Sequence, residues 1–196
     1  MNVINNSNSF NDVSAQMSED PWPHMVIDNY YDPQKLQAVE EEFANHLRYK
    51  SSDTWAEFHN ISQLLYTTKH PNFKKVFPTA WDCLYSVNPT PFLKCFEKIR
   101  PYGESVTVYH ELSYISSHLE YPIHYDIEEK VLSFVTYVNS EGTGTLLYDE
   151  NKNFVKEVEW KPNRSLVFAG ETDVTWHSYK TDHRPRLTIN TFIEAV

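Results

Sequence analysis

A change of hydrophobic period near residue 104 constrains this chain more than any other feature. Before it, Leu36, Val39, Phe43 and Leu47 recur at helical spacing, after an Asp32-Pro33 pair suited to an N-cap and a first-turn proline. The spacing predicts a helix over about 33–48, whose run Glu40, Glu41, Glu42 reads as a solvated face. Further helices are expected over 78–87 and 90–99, the latter capped by Thr90, with Phe92, Cys95, Phe96 and Ile99 on one face and Pro101 as its stop. Beyond residue 104 the period falls to two, and 105–114, 131–139, 144–150, 154–160, 164–170 and 186–193 all read as strands. "HMVIDNYY" (24–31) reads as an opening strand. Helices followed by six or more strands imply an α+β chain whose core is an antiparallel sandwich or barrel.

Composition narrows the classes of function. A length of 196 residues suits one domain with a real core, expected over 21–196 behind a flexible lead-in at 1–20. A net charge of −10 argues against general nucleic-acid binding. The polar start "MNVINNSNSF" does not read as a signal peptide, and no stretch approaches the roughly 18 apolar residues of a membrane span. A cytoplasmic setting is therefore expected. Cys83 and Cys95 are too few for a disulfide framework, and Cys95 falls on an expected apolar helix face as a buried thiol.

The chemistry concentrates around "PIHYDIEEK" (122–130). In extended chain, residues i and i+2 share a side, so His124 and Asp126 can offer a nitrogen and an oxygen to one ion. His177, 53 residues further on in "TWHSYK", offers a third ligand. Two histidines and one carboxylate on one face make the facial triad of non-haem Fe(II) sites, which leaves coordination positions open. Arg186 and Thr188 open the last strand and again share a side, toward the interior if Leu187 and Ile189 face outward. A buried arginine needs a partner, and a guanidinium beside a hydroxyl is a good carboxylate receptor. Arg184 competes for this anchoring role, but it precedes Pro185 in a turn, and Arg186 is preferred. The other seven histidines read as packing or surface residues, with substrate contact open to His110 and His118.

Taken together, "HYD" at 124–126, His177 and "RLT" at 186–188 resemble the signature of the 2-oxoglutarate/Fe(II)-dependent dioxygenases, most closely the prolyl-4-hydroxylase-like branch. The lead-in "PWPHMVIDNYYDPQKL" is similar to the opening of such enzymes, so the resemblance covers roughly 21–194. It implies a double-stranded β-helix (jelly-roll) core with the N-terminal helices packed on one sheet. It also implies Fe(II) on His124, Asp126 and His177, 2-oxoglutarate on Arg186 and Thr188, O₂ as oxidant, and ascorbate in support. Tyr114 and Tyr137 would by position help hold the co-substrate, and "GTGTLLY" (142–148) would wall its pocket. The implied reaction hydroxylates a C–H bond with release of succinate and CO₂. The substrate is a peptide or protein side chain, such as peptidyl proline, or a small molecule, read by loops at 49–78 and 115–123. A cupin-type metal enzyme without 2-oxoglutarate and a non-enzymatic β-sandwich are the alternatives. Arg186 with Thr188 separates the first of these from the favoured reading; the complete triad speaks against the second. Oligomeric state is not legible.

Overall fold

Asp32 starts the long helix as its side-chain chemistry dictates: Oδ1 accepts from the backbone N–H groups of Gln34 and Lys35 at 2.9 and 3.1 Å. The structure is a computed structural model describing residues 17–49, 57–60, 63–103 and 105–196. The expected lead-in at 1–20 therefore lies outside the described residues as far as residue 16. Helix α1 (Pro33–Tyr49) buries Leu36, Val39 and Phe43, the expected stripe. It is followed by α2 (Phe73–Val76), α3 (Pro78–Leu84) and α4 (Leu93–Phe96). Two expectations need correction here. Glu42 is no solvated bystander: its carboxylate accepts from the N–H groups of Thr79 and Ala80 at 2.9 and 2.8 Å, capping α3 from a neighbouring helix. The helix expected over 90–99 is a 3₁₀ turn (Thr90–Phe92) followed by the short α4, and Asn88 rather than Thr90 is the side-chain acceptor at its start.

The strands form two sheets whose pairings are all antiparallel. The large sheet holds β1 (Met17–Ser18), β2 (His24–Ile27), β3 (Glu57–Asn60), β4 (Gln63–Thr67), β5 (Val106–Ile115), β7 (Lys130–Tyr137), β10 (Ser165–Ala169) and β12 (Arg186–Ala195). Its spatial order is β1-β2-β10-β7-β12-β5-β4-β3. The small sheet holds β6 (Glu120–His124), β8 (Thr145–Tyr148), β9 (Phe154–Val158) and β11 (His177–Lys180), in the order β6-β11-β8-β9. The expected substrate loops at 49–78 and 115–123 thus contain β3, β4, α2 and most of β6.

Both faces of the large sheet are covered, by different partners. Leu112, Leu132, Phe134, Leu187, Ile189 and Ile193 pack against the helices in one apolar cluster with Phe43, Phe77 and Leu84. Burying side chains of this size stabilises by roughly 1.5–3 kcal/mol each, which makes this the anchoring layer of the fold. The opposite face meets the small sheet, where Tyr137, Leu166 and Phe168 pack on Leu147 and Val158. Strand alternation sorts β12 accordingly: Leu187, Ile189 and Ile193 go to the helices, while Arg186, Asn190 and Phe192 turn toward the space between the sheets. No described helix is long and apolar enough to cross a membrane.

Candidate metal centre and anion pocket

His124 closes β6 and His177 opens β11, and the antiparallel register sets them directly opposite each other. Their ring centroids are 4.3 Å apart. A local bond fixes each ring the same way: His124 Nδ1 lies 2.9 Å from the carbonyl oxygen of Pro122, and His177 Nδ1 lies 2.9 Å from that of Thr175. A carbonyl can only accept, so each Nδ1 carries the hydrogen and each Nε2 keeps its lone pair free. Burial pushes His177 down to about 4 and lowers His124 as well, which keeps both rings in the neutral form that a metal needs.

Asp126 follows in the turn between β6 and β7. Burial alone would raise its carboxyl, but the neighbouring His177 ring, the Lys130 ammonium and a hydrogen bond from Ser133 outweigh this and hold it below its ordinary value. Ser133 Oγ donates to Oδ2 at 2.5 Å, and Lys130 Nζ lies 3.3 Å from Oδ1 while sitting 3.6 Å above the Phe192 ring. One potential ligand atom from each of His124, Asp126 and His177 lies within 4.8 Å of the other two, the only such group among the described residues. Ser133 and Lys130 were not foreseen. They lie seven and four residues after Asp126, and only the strand register brings Ser133 under it.

The triad borders a cavity of about 430 Å³ between the sheets, and Arg186 lies on its wall. Arg186 is 3% exposed, yet no carboxylate pairs with it among the described residues. Its Nη2 donates to Thr145 Oγ1 at 3.1 Å, and its Nε has no partner. The Tyr179 ring centroid lies 4.3 Å from Cζ, and burial lowers the arginine's pKa. Thr188, fully buried on the same side of β12, also has an Oγ1 without a partner. A desolvated guanidinium beside an orphaned hydroxyl costs free energy unless an anion completes it. Arg184 is excluded from that role, because Asp182 already binds its Nε and Nη2 at 3.0 and 2.5 Å.

The two tyrosines fall differently. Tyr114 is corrected: its ring lies 5.6 Å from that of Phe43 on the helix side, and its neighbour Ser113 lines the cavity instead. Tyr137 does point between the sheets, but its hydroxyl is engaged by Thr145, whose N–H it accepts at 3.0 Å, and by the Val158 carbonyl at 3.1 Å. Tyr137 is thereby the support of Thr145, which lines the cavity beside Arg186. The glycine-rich turn has a matching purpose: a Cβ on Gly144 would meet the Val158 carbonyl oxygen at 2.1 Å, so only glycine lets β8 approach β9 this closely. Tyr179 and Gln63 were missed. Tyr179 follows His177 by two residues, the same i, i+2 signal that placed Asp126. A larger cleft of about 570 Å³, lined by His118, Glu120, Glu157, Lys180 and Asp182, lies on the other face of the small sheet, away from the triad and Arg186.

No protein-family model and no curated protein sequence matches the chain. Among solved structures it is similar to a prolyl-4-hydroxylase of Pseudomonas putida, with a TM-score of 0.67, 10% identity and coverage of 96% of this chain and 100% of that one. It is also similar to a prolyl hydroxylase of Trichoplax adhaerens in complex with a hypoxia inducible factor oxygen degradation domain peptide (TM-score 0.64, 15% identity, 94% and 88% covered). A third likeness is to the viral collagen prolyl hydroxylase of Paramecium Bursaria Chlorella virus-1 in its 2-oxoglutarate complex (TM-score 0.56, 12% identity, 88% and 96% covered). Identities this low speak to architecture. The chain has the fold of the prolyl-4-hydroxylase-like 2-oxoglutarate oxygenases.

Proposed function

We propose that this chain, folded as the prolyl-4-hydroxylase-like oxygenases are, is an Fe(II)- and 2-oxoglutarate-dependent dioxygenase that hydroxylates a C–H bond. One observation carries the reading: the His124, Asp126, His177 group and the carboxylate-free, buried Arg186 face the same cavity. On this reading the two sheets form the double-stranded β-helix (jelly-roll). Residues 21–196 act as one catalytic domain, onto which Met17–Ser18 at the end of the expected lead-in pair as β1, in a reducing, cytoplasmic setting that suits the free Cys83 and Cys95.

The residues fit the groups the reading needs. Two neutral imidazoles with free Nε2 atoms and one ionised carboxylate suit a divalent iron, and the donor set leaves positions for other ligands. Arg186 Nε and Thr188 Oγ1, both buried without partners, fit the far carboxylate of 2-oxoglutarate. A metal-dependent barrel enzyme that used no such acid would have no need of this receptor. When bound, iron, 2-oxoglutarate and O₂ supply the oxidising chemistry: the oxo acid becomes succinate and CO₂, and the second oxygen atom enters the substrate C–H bond. The chain's own residues orient and exclude. Thr145 and Tyr179 hold the Arg186 guanidinium in place, one by a hydrogen bond and one by its ring. Ser133 and Lys130 hold the Asp126 carboxylate against the two imidazoles. The substrate to test first is a peptide or protein side chain, peptidyl proline included, since one structural neighbour was solved with a peptide.

The test is succinate formation from 2-oxoglutarate with Fe(II), ascorbate and O₂, for the wild type and for Asp126→Ala. The wild type should release succinate even without a primary substrate, at a slow uncoupled rate, and the variant should not. Absence of both turnover and Fe(II) binding in the wild type would sink the proposal.

A further inference from the structure

Tyr179 does more than support Arg186 with its ring. Gln63 on β4 stands opposite Ile115 on β5, and Ile115 opposite Arg186 on β12, so Gln63 and Arg186 share one row of the large sheet, two strands apart. Strand spacing sets their backbones roughly 10 Å from each other. Tyr179 spans that gap from the facing sheet: its ring centroid lies 4.3 Å from Arg186 Cζ, and its hydroxyl is hydrogen-bonded by the Gln63 amide. All three residues line the same cavity.

The direction of the Gln63 bond decides what Tyr179 can offer. Gln63 Oε1 has no partner, so the amide meets the phenol through Nε2, which can only donate. The Tyr179 oxygen therefore accepts, and its own hydrogen is left to give, with no acceptor for it among the described residues. Tyr137 lacks this freedom, because Thr145 and the Val158 carbonyl engage its hydroxyl. Gln63 is 6% exposed and only half satisfied, an arrangement that costs stability. Its effect on Tyr179 accounts for it: the amide occupies the oxygen's acceptor side and turns the hydrogen away from β4. Of the other hydroxyls lining the cavity, Tyr121 and Tyr125 pack on His124 and Trp176 at the metal end, while Ser113 stands opposite Thr188.

Resting on the dioxygenase reading, we infer that Tyr179 is a direct ligand of the co-substrate, its hydroxyl donating to the far carboxylate beside Arg186 and Thr188, and that Gln63 is the positioning residue that keeps this hydroxyl a donor. A carboxylate accepts about four hydrogen bonds, so it has room for a third donor beyond Arg186 Nε and Thr188 Oγ1. One side chain then serves charges of both signs, the guanidinium with its ring and the carboxylate with its hydroxyl.

The test is calorimetric titration of 2-oxoglutarate into the Fe(II)-loaded protein without O₂, beside Fe(II) titration of the metal-free protein. Tyr179→Phe keeps the ring at Arg186 and removes only the hydroxyl. It should weaken 2-oxoglutarate binding at least tenfold and leave Fe(II) affinity within threefold. Gln63→Leu should weaken 2-oxoglutarate at least threefold while its urea midpoint stays level or rises, since it removes a buried orphan along with the bond. In the double variant the loss due to Gln63→Leu should vanish, because Gln63 acts through the hydroxyl. Ser113→Ala, which removes the competing hydroxyl, should cost less than Tyr179→Phe. Unchanged 2-oxoglutarate affinity in Tyr179→Phe, an equal loss of Fe(II) affinity, additive losses in the double variant, or a larger loss in Ser113→Ala overturns the inference. So does a Gln63→Leu that loses stability and keeps its affinity. A wild type that binds Fe(II) but no 2-oxoglutarate overturns the dioxygenase reading and this inference together. Wild-type binding of 2-oxoglutarate that Tyr179→Phe matches overturns this inference alone.

Discussion

The two faces of the large sheet are made by the same strands and behave as different materials. On the helix side, Leu112, Leu187, Ile189 and Ile193 lie in apolar contact, and a buried histidine there, His110, is satisfied by Thr191 at 2.8 Å. On the cavity side, alternate residues of the same β4, β5 and β12 are Gln63, Glu111, Ser113, Arg186, Thr188 and Asn190. Four of the five buried side-chain atoms without a partner among the described residues belong to that set. One face holds the fold together and the other stores unmet hydrogen-bonding capacity for ligands. Strand alternation lets a single sheet do both, because successive side chains never share an environment.

Substitutions should separate the two faces. The largest effect belongs to the cavity side: His177→Ala should lower Fe(II) affinity by roughly a thousandfold or more, beyond the 10–100-fold typical of outer-shell changes, as read by metal titration. Its urea midpoint should stay close to the wild type when both are metal-free; a large shift would break the division. Ile189→Ala, one face away, should cost about 3 kcal/mol of stability and leave metal affinity within a factor of two or three.

Acid should act on both faces, since His177 and His124 are lowered by burial as well, and His110 reports the helix face. His110 is 2% exposed, and burial holds it at about 4 against an unfolded value of 6.5. The unfolded chain thus binds the proton first, so stability falls as pH drops from about 6.5 to 4, by roughly 3 kcal/mol for this group. Denaturant titrations across that window should show His110→Asn losing less by about that amount than the wild type. Equal losses would mean that His110 is not kept neutral by the fold.

Arg186→Met sharpens the comparison further. Replacing an unpaired, buried guanidinium with an apolar chain should leave stability unchanged or raised, while 2-oxoglutarate affinity falls about a hundredfold. A loss of stability would mean that Arg186 serves the fold as well. The smallest effect is expected for Ser133→Ala, about tenfold in Fe(II) affinity with little change in 2-oxoglutarate affinity.

The sequence revealed the site better than it revealed the face of each strand. His124, Asp126, His177, Arg186 and Thr188 were legible because i, i+2 spacing holds wherever the backbone is extended, and the structure brings the three metal-site candidates together. Tyr114 went wrong for a physical reason. In "VTVYHELSYI" both sides of a central strand are buried, so polarity does not report which side is which, and the register with β12 had to decide. β6 and β11 were invisible as strands because they are short and rich in polar residues, with Pro122 inside β6. The capping by Glu42 and the tie from Ser133 to Asp126 depend on tertiary neighbours, which no local pattern encodes.

Pro122 also has a consequence beyond its carbonyl. β6 is an outer strand of the small sheet, with Ile123 37% exposed, the kind of edge that invites a strand from another molecule. A proline has no N–H to offer an incoming chain, and Glu120 at the strand's start adds a charge that disfavours stacking. The residue whose oxygen fixes the tautomer of His124 therefore also guards this edge against self-association. That protection lets His124, the proposed metal ligand, stand on an open edge without turning the edge into a site of aggregation.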